Sequence, residues 1–324
     1  MPRQSPSPKS LRSFVDILRK EGELVEVKVP VSSHLEIAEI HRRVVSQQGK
    51  ALLFTHVEGS SFPVVTNLFG SLRRIELAGI ETLQSHIASL IHLLEDAHPL
   101  SFSTLYAHRK LVTALLSTGT KTVHNGPVLD HIQEPPHLSQ LPLLHSWPDD
   151  GGAFITLPLV LTESPSRHTT NLGMYRVQRF DDETAGLHWQ IGKGGGFHFT
   201  ESEALNQDLP VAVLIGGSPS LMLSAIAPLP ENMSELLLSS FMQNGKVSLV
   251  KKKGFPYLIP AESDFALLGY AKPHERRMEG PFGDHFGYMS RAHPFPFFTC
   301  STLLHRNDAI YPATVVGKPP QEDT

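Results

Sequence analysis

From Ser10 onward, apolar residues at Leu11, Phe14, Val15 and Leu18 recur at the spacing of one helix face, and Gly22 supplies a left-handed exit. Val25, Val27 and Val29 then alternate with Glu26 and Lys28, the pattern of a half-buried strand. Ser33 and Glu36 have the spacing of a capping box, which predicts a helix through Leu35, Ile37, Ile40 and Val44 that ends at Gly49. Short strands are expected at Ala51 to Phe54 and Val64 to Thr66, and a long helical region from Ser71 to about Glu95. Together these elements predict an α/β unit at the N-terminus.

The segment from Gly126 to Asp150 is rich in proline and has little periodicity, so a domain boundary or a long crossing segment is placed there. Beyond it, strand patterns fall at 154–162, 173–180, 186–191, 211–215, 247–251 and 265–270, with helices around 218–226 and 234–242. The expectation is an α+β chain: an N-terminal α/β domain over residues 1–125, then a β-rich domain over 126–324. No repeat of solenoid length is visible.

Composition narrows the chemistry. The 324 residues carry 28 Lys+Arg against 32 Asp+Glu, a formal charge of −4, so no general field draws the protein to nucleic acid, and any anion must be held by a local site. Cys300 is the one cysteine, which excludes an internal disulfide and a multi-cysteine zinc site. The start, MPRQSPSPKS, is polar and basic with no apolar run behind it. The longest uncharged stretch, between Asp208 and Glu231, is broken by Gly216, Gly217, Pro219 and Pro228. A soluble cytoplasmic protein is expected.

Three clusters carry candidate chemistry. In NLGMYRVQRF and HWQIGKGGGFHF, a strand with Asn171 and Arg176 and a returning strand that ends at Gly194, Gly195 and Gly196 form a hairpin. That hairpin is either an anion cradle completed by Lys193 or a tight turn with solvated cations. In EGPFGDHFGYMS, Glu279 and Asp284 flank a Pro-Gly turn. They either share a pocket that separates their proton affinities or are two solvated carboxylates. Glu235 falls in the first turn of a helix capped by Ser234 or Asn232, where an acid suits the helix dipole. The 18 histidines do not have zinc spacing, and His34 and His41 are expected on a helix surface. Ser166, Ser218 and Ser220 lie outside any nucleophile elbow, and Gly216 to Pro219 is read as a structural strand-to-helix turn.

Taken jointly, GELVEVKVPVSSHLEIAEI, KALLF, FPVVTNLFGS, NLGMYRVQ, HWQIGKGG, SELLLSSF, EGPFGDHFGY and YPATVVGKPPQED resemble, in order, the UbiD family of prenylated-flavin-dependent decarboxylases. The resemblance implies that the second domain is a split β-barrel binding prenylated FMN, with Mn²⁺ and, as a further candidate, K⁺. It implies Asn171 and Glu235 as metal ligands. Met174, Tyr175, Arg176, His188, Trp189, Gln190, Lys193 and Gly194 are implied as cofactor contacts, and Arg176, Glu279 and Asp284 as the catalytic Arg and two acids. Arg176 would hold the substrate carboxylate, Glu279 would orient Arg176, and a desolvated Asp284 would give the proton.

The implied reaction is non-oxidative decarboxylation of an aromatic acid, foremost a 4-hydroxy-3-polyprenylbenzoate in quinone biosynthesis. A flavin prenyltransferase would supply the cofactor, and a lipid-tailed substrate would bring the protein to a membrane periphery. A homo-oligomer, or association with a full-length paralogue, is expected. Gly192 stands where the family pattern has a histidine ligand, and the family's C-terminal domain is not expected in this chain. These two departures motivate the alternative of a non-catalytic flavin-binding or interaction partner. An FMN reductase on the same barrel is a third reading.

Overall fold

The computed structural model describes residues 7–96, 106, 109–189, 194–229 and 233–322. The stripe after Ser10 forms α1 (Leu11–Lys20), which buries Leu11, Phe14, Val15 and Leu18. The Ser10 and Ser13 hydroxyls each accept the other's backbone N–H, closing the helix start, and Gly22 leaves it at φ +74°. β1 (Leu24–Val27) stops before Val29, so Leu24 and Val27 carry its half-buried positions. Val25 and Val29 are exposed, contrary to the alternation in the sequence. The strand lies at a sheet edge, with a neighbour on one side only.

α2 (Glu36–Ser46) starts without the expected capping box. Leu35 occupies the cap at φ +67°, and the Glu36 carboxylate accepts the Ser32 N–H at 2.7 Å. His41, expected on the surface, is fully buried, because it lies one turn beyond the core residue Ile37. Burial, helped by the neighbouring Arg42 charge, lowers the His41 pKa to about 4.

The unfolded histidine therefore binds a proton that the folded one refuses. The stability this represents is complete above the ordinary value of 6.5 and declines as pH falls toward 4. The loss should amount to roughly 3 kcal/mol. Urea midpoints at about pH 7.5 and about pH 4.5 should differ more for the native chain than for His41→Leu; equal differences would exclude His41 as the source.

β2 (Ala51–Phe54) and β3 (Val64–Thr66) lead to α3 (Leu72–Ile75), one π-helical turn at Glu76–Ile80, and α4 (Glu81–Asp96). Gly79, at φ +122°, breaks the long helical region into these pieces. α5 (Arg109–Ser117), β4 (Thr120–Val123) and β5 (His131–Gln133) follow. Next come β6 (Phe154–Ile155), β7 (Pro158–Glu163), β8 (Thr170–Met174), β9 (Val177–Arg179), β10 (Thr184–Leu187), α6 (Gly194–Leu205) and β11 (Leu209–Ile215). α7 (Pro219–Ser224), α8 (Glu235–Met242), β12 (Val247–Lys251), β13 (Leu258–Pro260) and β14 (Phe265–Ala271) precede β15 (Arg277–Glu279), β16 (His293–Phe295), β17 (Phe297–His305) and β18 (Tyr311–Ala313).

The chain is mixed α/β, and its nine-stranded sheet curls into a half-barrel in the order β6-β9-β10-β17-β14-β11-β7-β8, with β5 on β17. β11 and β14 are apolar on both faces because each face meets a separate core. Val211, Val213, Ile215, Phe265 and Leu267 enter one cluster, and the alternating Ala212, Leu214, Ala266 and Leu268 enter the other. β1, β2, β3 and β18 form a second sheet, and β4 pairs in parallel with β12. Strand pairing therefore crosses residue 125 in both directions. Among the described residues no helix is long and apolar enough to cross a membrane.

Candidate active site

The expected strand over 173–180 is divided. β8 pairs with β7, whereas β9 pairs with β6 and β10, and Tyr175 and Arg176 fall in the break between them. The Arg176 carbonyl accepts the His188 N–H at 3.3 Å just beyond β10. Both side chains reach the wall of a cavity of about 1550 Å³.

Arg176 meets Glu279 through two bonds, Nε to Oε1 at 2.8 Å and Nη2 to Oε2 at 3.0 Å. This bidentate contact fixes the plane of the guanidinium. Nη2 also donates to Ser290 Oγ at 3.3 Å, and the group lies 4.7 Å from the Phe282 ring centroid. Glu279 is fully buried at the end of β15, and its Oε2 lies 3.1 Å from His188 Nδ1. Burial alone would raise the Glu279 pKa, but the bonds to His188 and Arg176 outweigh it and hold the carboxyl below its ordinary value. The carboxylate is thus held as an anion above its lowered pKa, behind the cavity wall and oriented on two groups that line it.

Asp284 does not share this burial. It stands on the cavity rim with its side chain 41% exposed, its Oδ1 2.9 Å from His285 Nδ1 and accepting the Phe286 N–H at 3.2 Å. The expectation of two carboxylates in one pocket, with Asp284 desolvated, is corrected: one acid is interior and the other faces water. The turn that carries Asp284 closes on itself through its N–H to the Tyr288 carbonyl.

The glycine run is also corrected. Gly194, Gly195 and Gly196 begin α6 and do not end a hairpin strand. A Cβ at Gly194 would come within 1.9 Å of Asn171 Oδ1, and one at Gly195 within 2.6 Å of Trp189 Nε1, so close approach demands glycine here. Asn171, on β8, donates to the Tyr175 hydroxyl at 3.4 Å, and the Gly195 N–H donates to the same oxygen at 3.3 Å. Asn171, Met174, Tyr175 and Gly194 all line the cavity.

Glu235 opens α8 and accepts the Leu172 N–H at 3.3 Å, which places its carboxylate beside Asn171 on β8. Ser234 occupies the cap position without a side-chain bond. Burial raises the Glu235 pKa, and no basic side chain among the described residues is paired with it. Asn171 and Glu235 are therefore two hard oxygen donors on one wall, the second a desolvated carboxylate without a counter-cation among those residues. The same residues contain no group of three or more His, Cys, Asp or Glu able to hold a metal.

Trp189 lies off the cavity wall: its indole packs in the core 5.5 Å from the Phe199 ring. Gln190, Gly192 and Lys193 lie outside the described residues. Sequence reasoning missed Ser290 and Phe282 as partners of Arg176; nothing in their local pattern distinguishes them from ordinary turn and core residues.

Residues 121–319 match the domain described as the 3-octaprenyl-4-hydroxybenzoate carboxy-lyase Rift-related domain, and residues 15–85 match the N-terminal domain of the same enzymes. The chain belongs to the UbiD family. An uncharacterised Chlamydia trachomatis protein is 57% identical over 97% of this chain and 54% of its own length. A Chlamydia pneumoniae protein named as one of the subunits of 4-hydroxybenzoate decarboxylase is 51% identical over 97% of this chain and 53% of its own. This UbiD-family chain thus spans about half the length of those relatives. The closed form of vanillic acid decarboxylase from Sedimentibacter hydroxybenzoicus superposes with a TM-score of 0.83 at 25% identity, covering 98% of this chain and 66% of that one. A UbiD-class enzyme from Pelotomaculum thermopropionicum, in complex with prenylated FMN, shares the fold with a TM-score of 0.77 at 24% identity, over 96% of this chain and 68% of that one.

Proposed function

We propose that this chain carries the catalytic site of a prenylated-FMN-dependent decarboxylase of aromatic acids, with a 4-hydroxy-3-polyprenylbenzoate of quinone biosynthesis as the foremost substrate. The observation that carries the reading is Arg176, locked in plane by buried Glu279, on the wall of a cavity that also holds Asn171 and Glu235. A planar cation fixed in one orientation suits a carboxylate that must be presented repeatedly in the same pose.

The residues fit the cofactor. A cavity of about 1550 Å³ is larger than most single-ligand pockets, which run to roughly 1,000 Å³, and leaves room for a flavin and an aromatic acid together. Glycine at 194 allows close backbone approach at a helix start. Met174, Tyr175 and Gly194 would contact the flavin, with the half-barrel of residues 126–324 as the proposed split-barrel flavin domain. Asn171 and Glu235 would hold a hard cation such as Mn²⁺, whose charge answers the desolvated Glu235 carboxylate. When bound, the modified flavin supplies an electron sink for the ring carbon that loses CO2. The protein's part is to bind the carboxylate at Arg176, to keep water from the reacting carbon and to deliver a proton.

The test is co-expression with a flavin prenyltransferase, anaerobic purification, absorbance and mass spectrometry of the released cofactor, and metal analysis. Stoichiometric prenylated FMN with Mn²⁺, both reduced in Glu235→Ala, is the expected result. A folded protein that stays colourless and metal-free would overturn the reading and favour a non-catalytic partner.

A further inference from the structure

Glu279 is not the whole support of Arg176. The turn between β15 and β16 supplies the rest: Phe282 sets its ring 4.7 Å from the guanidinium, and Ser290 Oγ accepts Nη2 at 3.3 Å. Within that turn Ser290 Oγ also accepts the Phe282 N–H at 3.1 Å, and the Ser290 N–H donates to the Phe282 carbonyl at 2.9 Å. The two partners of the guanidinium are thus tied into one piece, and the position of that piece bears directly on the guanidinium plane.

The next residue, Gly283, rests on Trp147. A Cβ at 283 would come within 2.8 Å of the indole and 3.1 Å of the Val316 carbonyl oxygen, and one at Gly317 within 2.4 Å of the indole. The ring therefore packs against both the turn and the segment after β18 with no room to spare. Its Nε1–H donates to the Val316 carbonyl at 2.7 Å, and the Arg42 guanidinium of α2 lies 4.2 Å from the ring centroid. Arg42 Nη1 donates to the Ser146 carbonyl at 2.9 Å. Buried Asp150 ties the backbones together, one oxygen accepting the Ser146 and Trp147 N–H groups and the other the Gly283 N–H at 3.2 Å. Gly283 and Val316 line the cavity, whereas Trp147 stands behind them.

We propose that Trp147 is a positioning residue of this site: held by Arg42 of α2, it sets the place of the turn that carries Phe282 and Ser290, and through them the orientation of Arg176. The inference rests on the decarboxylase reading and deepens it. Glu279 fixes the guanidinium by direct bonds, and Trp147 fixes the second set of contacts from a distance. A substrate carboxylate met by a guanidinium displaced by about 1 Å loses its pose, an error able to cost on the order of a hundredfold in rate. Tryptophan suits the position because one rigid side chain supplies a face for Arg42, bulk under Gly283 and a donor for Val316. Phenylalanine keeps the face but gives up the donor and part of the bulk.

The decisive variants are Trp147→Ala, which removes the ring, and Gly283→Ala, which keeps the ring and pushes the turn off it. Gly283 does not use the left-handed region, so the added methyl brings contact without backbone strain. The prenylated-FMN-loaded chain would be supplied with 4-hydroxybenzoate and its 3-prenylated analogue, and kcat and KM measured separately. In the unloaded chain, solvent exchange of the Arg176 Nε–H would be followed by ¹⁵N NMR. Both variants should lower kcat/KM by at least about tenfold, with KM raised because the carboxylate is already held in the ground state, and should speed Nε–H exchange by at least about tenfold. Gly283→Ala combined with Trp147→Phe should recover most of what Gly283→Ala loses, since the smaller ring makes room for the methyl. A role in stability alone would lower the urea midpoint while kcat, KM and Nε–H exchange stayed within about threefold of native, and would overturn the inference. Losses that simply add in the double variant would overturn it as well. A native chain that is loaded yet releases no CO2, with Nε–H exchange responding as expected, would instead overturn the decarboxylase reading, and the part of Trp147 in the reaction with it.

Discussion

Replacing Arg176 with Ala should abolish decarboxylation, with a loss of at least about a thousandfold in kcat/KM. The guanidinium is a cavity-wall cation that Glu279, Ser290 and Phe282 hold in one plane. Arg176→Lys is the informative companion, because it keeps the charge beside buried Glu279 and so protects the fold, but it loses the planar fork. If planarity matters as the bidentate contact implies, lysine should recover little of the lost rate. Turnover retained in Arg176→Ala would remove the carboxylate-binding role from this residue.

The second large effect concerns stability. Glu279→Ala leaves Arg176 and His188 facing an empty site in the interior, and breaking a buried pair on one side should cost about 3–5 kcal/mol. Glu279→Gln keeps the shape and should cost less, yet it removes the anion and so frees both the guanidinium plane and the imidazole. The pH dependence separates the charge from the packing. The Glu279 carboxyl is held below its ordinary value of 4.5, so the stability due to its ionised form is complete above that value and is lost as pH falls through the lower folded one. Urea titrations of Glu279→Gln should lack this acidic loss. An unchanged acid limb would show that Glu279 contributes packing alone.

Local features were legible in the sequence. The α1 stripe with its Gly22 exit, and the strands at β2, β11, β12 and β14, stand at or within a residue or two of where periodicity put them. Motif order pointed to the family, and Arg176 and Glu279 were named as a pair although 103 residues separate them. The failures share a physical cause, in that distant chain decides the outcome. Glycines 194–196 read as the end of a hairpin strand because glycine is a poor helix former, yet they open a helix, and Asn171 of β8 and Trp189 press against Gly194 and Gly195 and leave those two no room for a side chain. His41 read as surface because histidine is polar, yet its position on α2 is an interior one. Asp284 read as an interior acid from its motif, while its turn closes locally and leaves it at the rim. The break between β8 and β9, which sets Arg176 against Glu279, has no local signal at all.

The pairing of β18 with β3 bears on how the chain is made. During synthesis β3 is complete long before Tyr311–Ala313 exists, so one edge of the N-terminal sheet must wait, unpaired, until the long intervening stretch of chain has emerged. Pairings of such long separation form late and slowly. The nascent N-terminal unit is thereby exposed to mispairing with other chains at the stage when its partner strand does not yet exist.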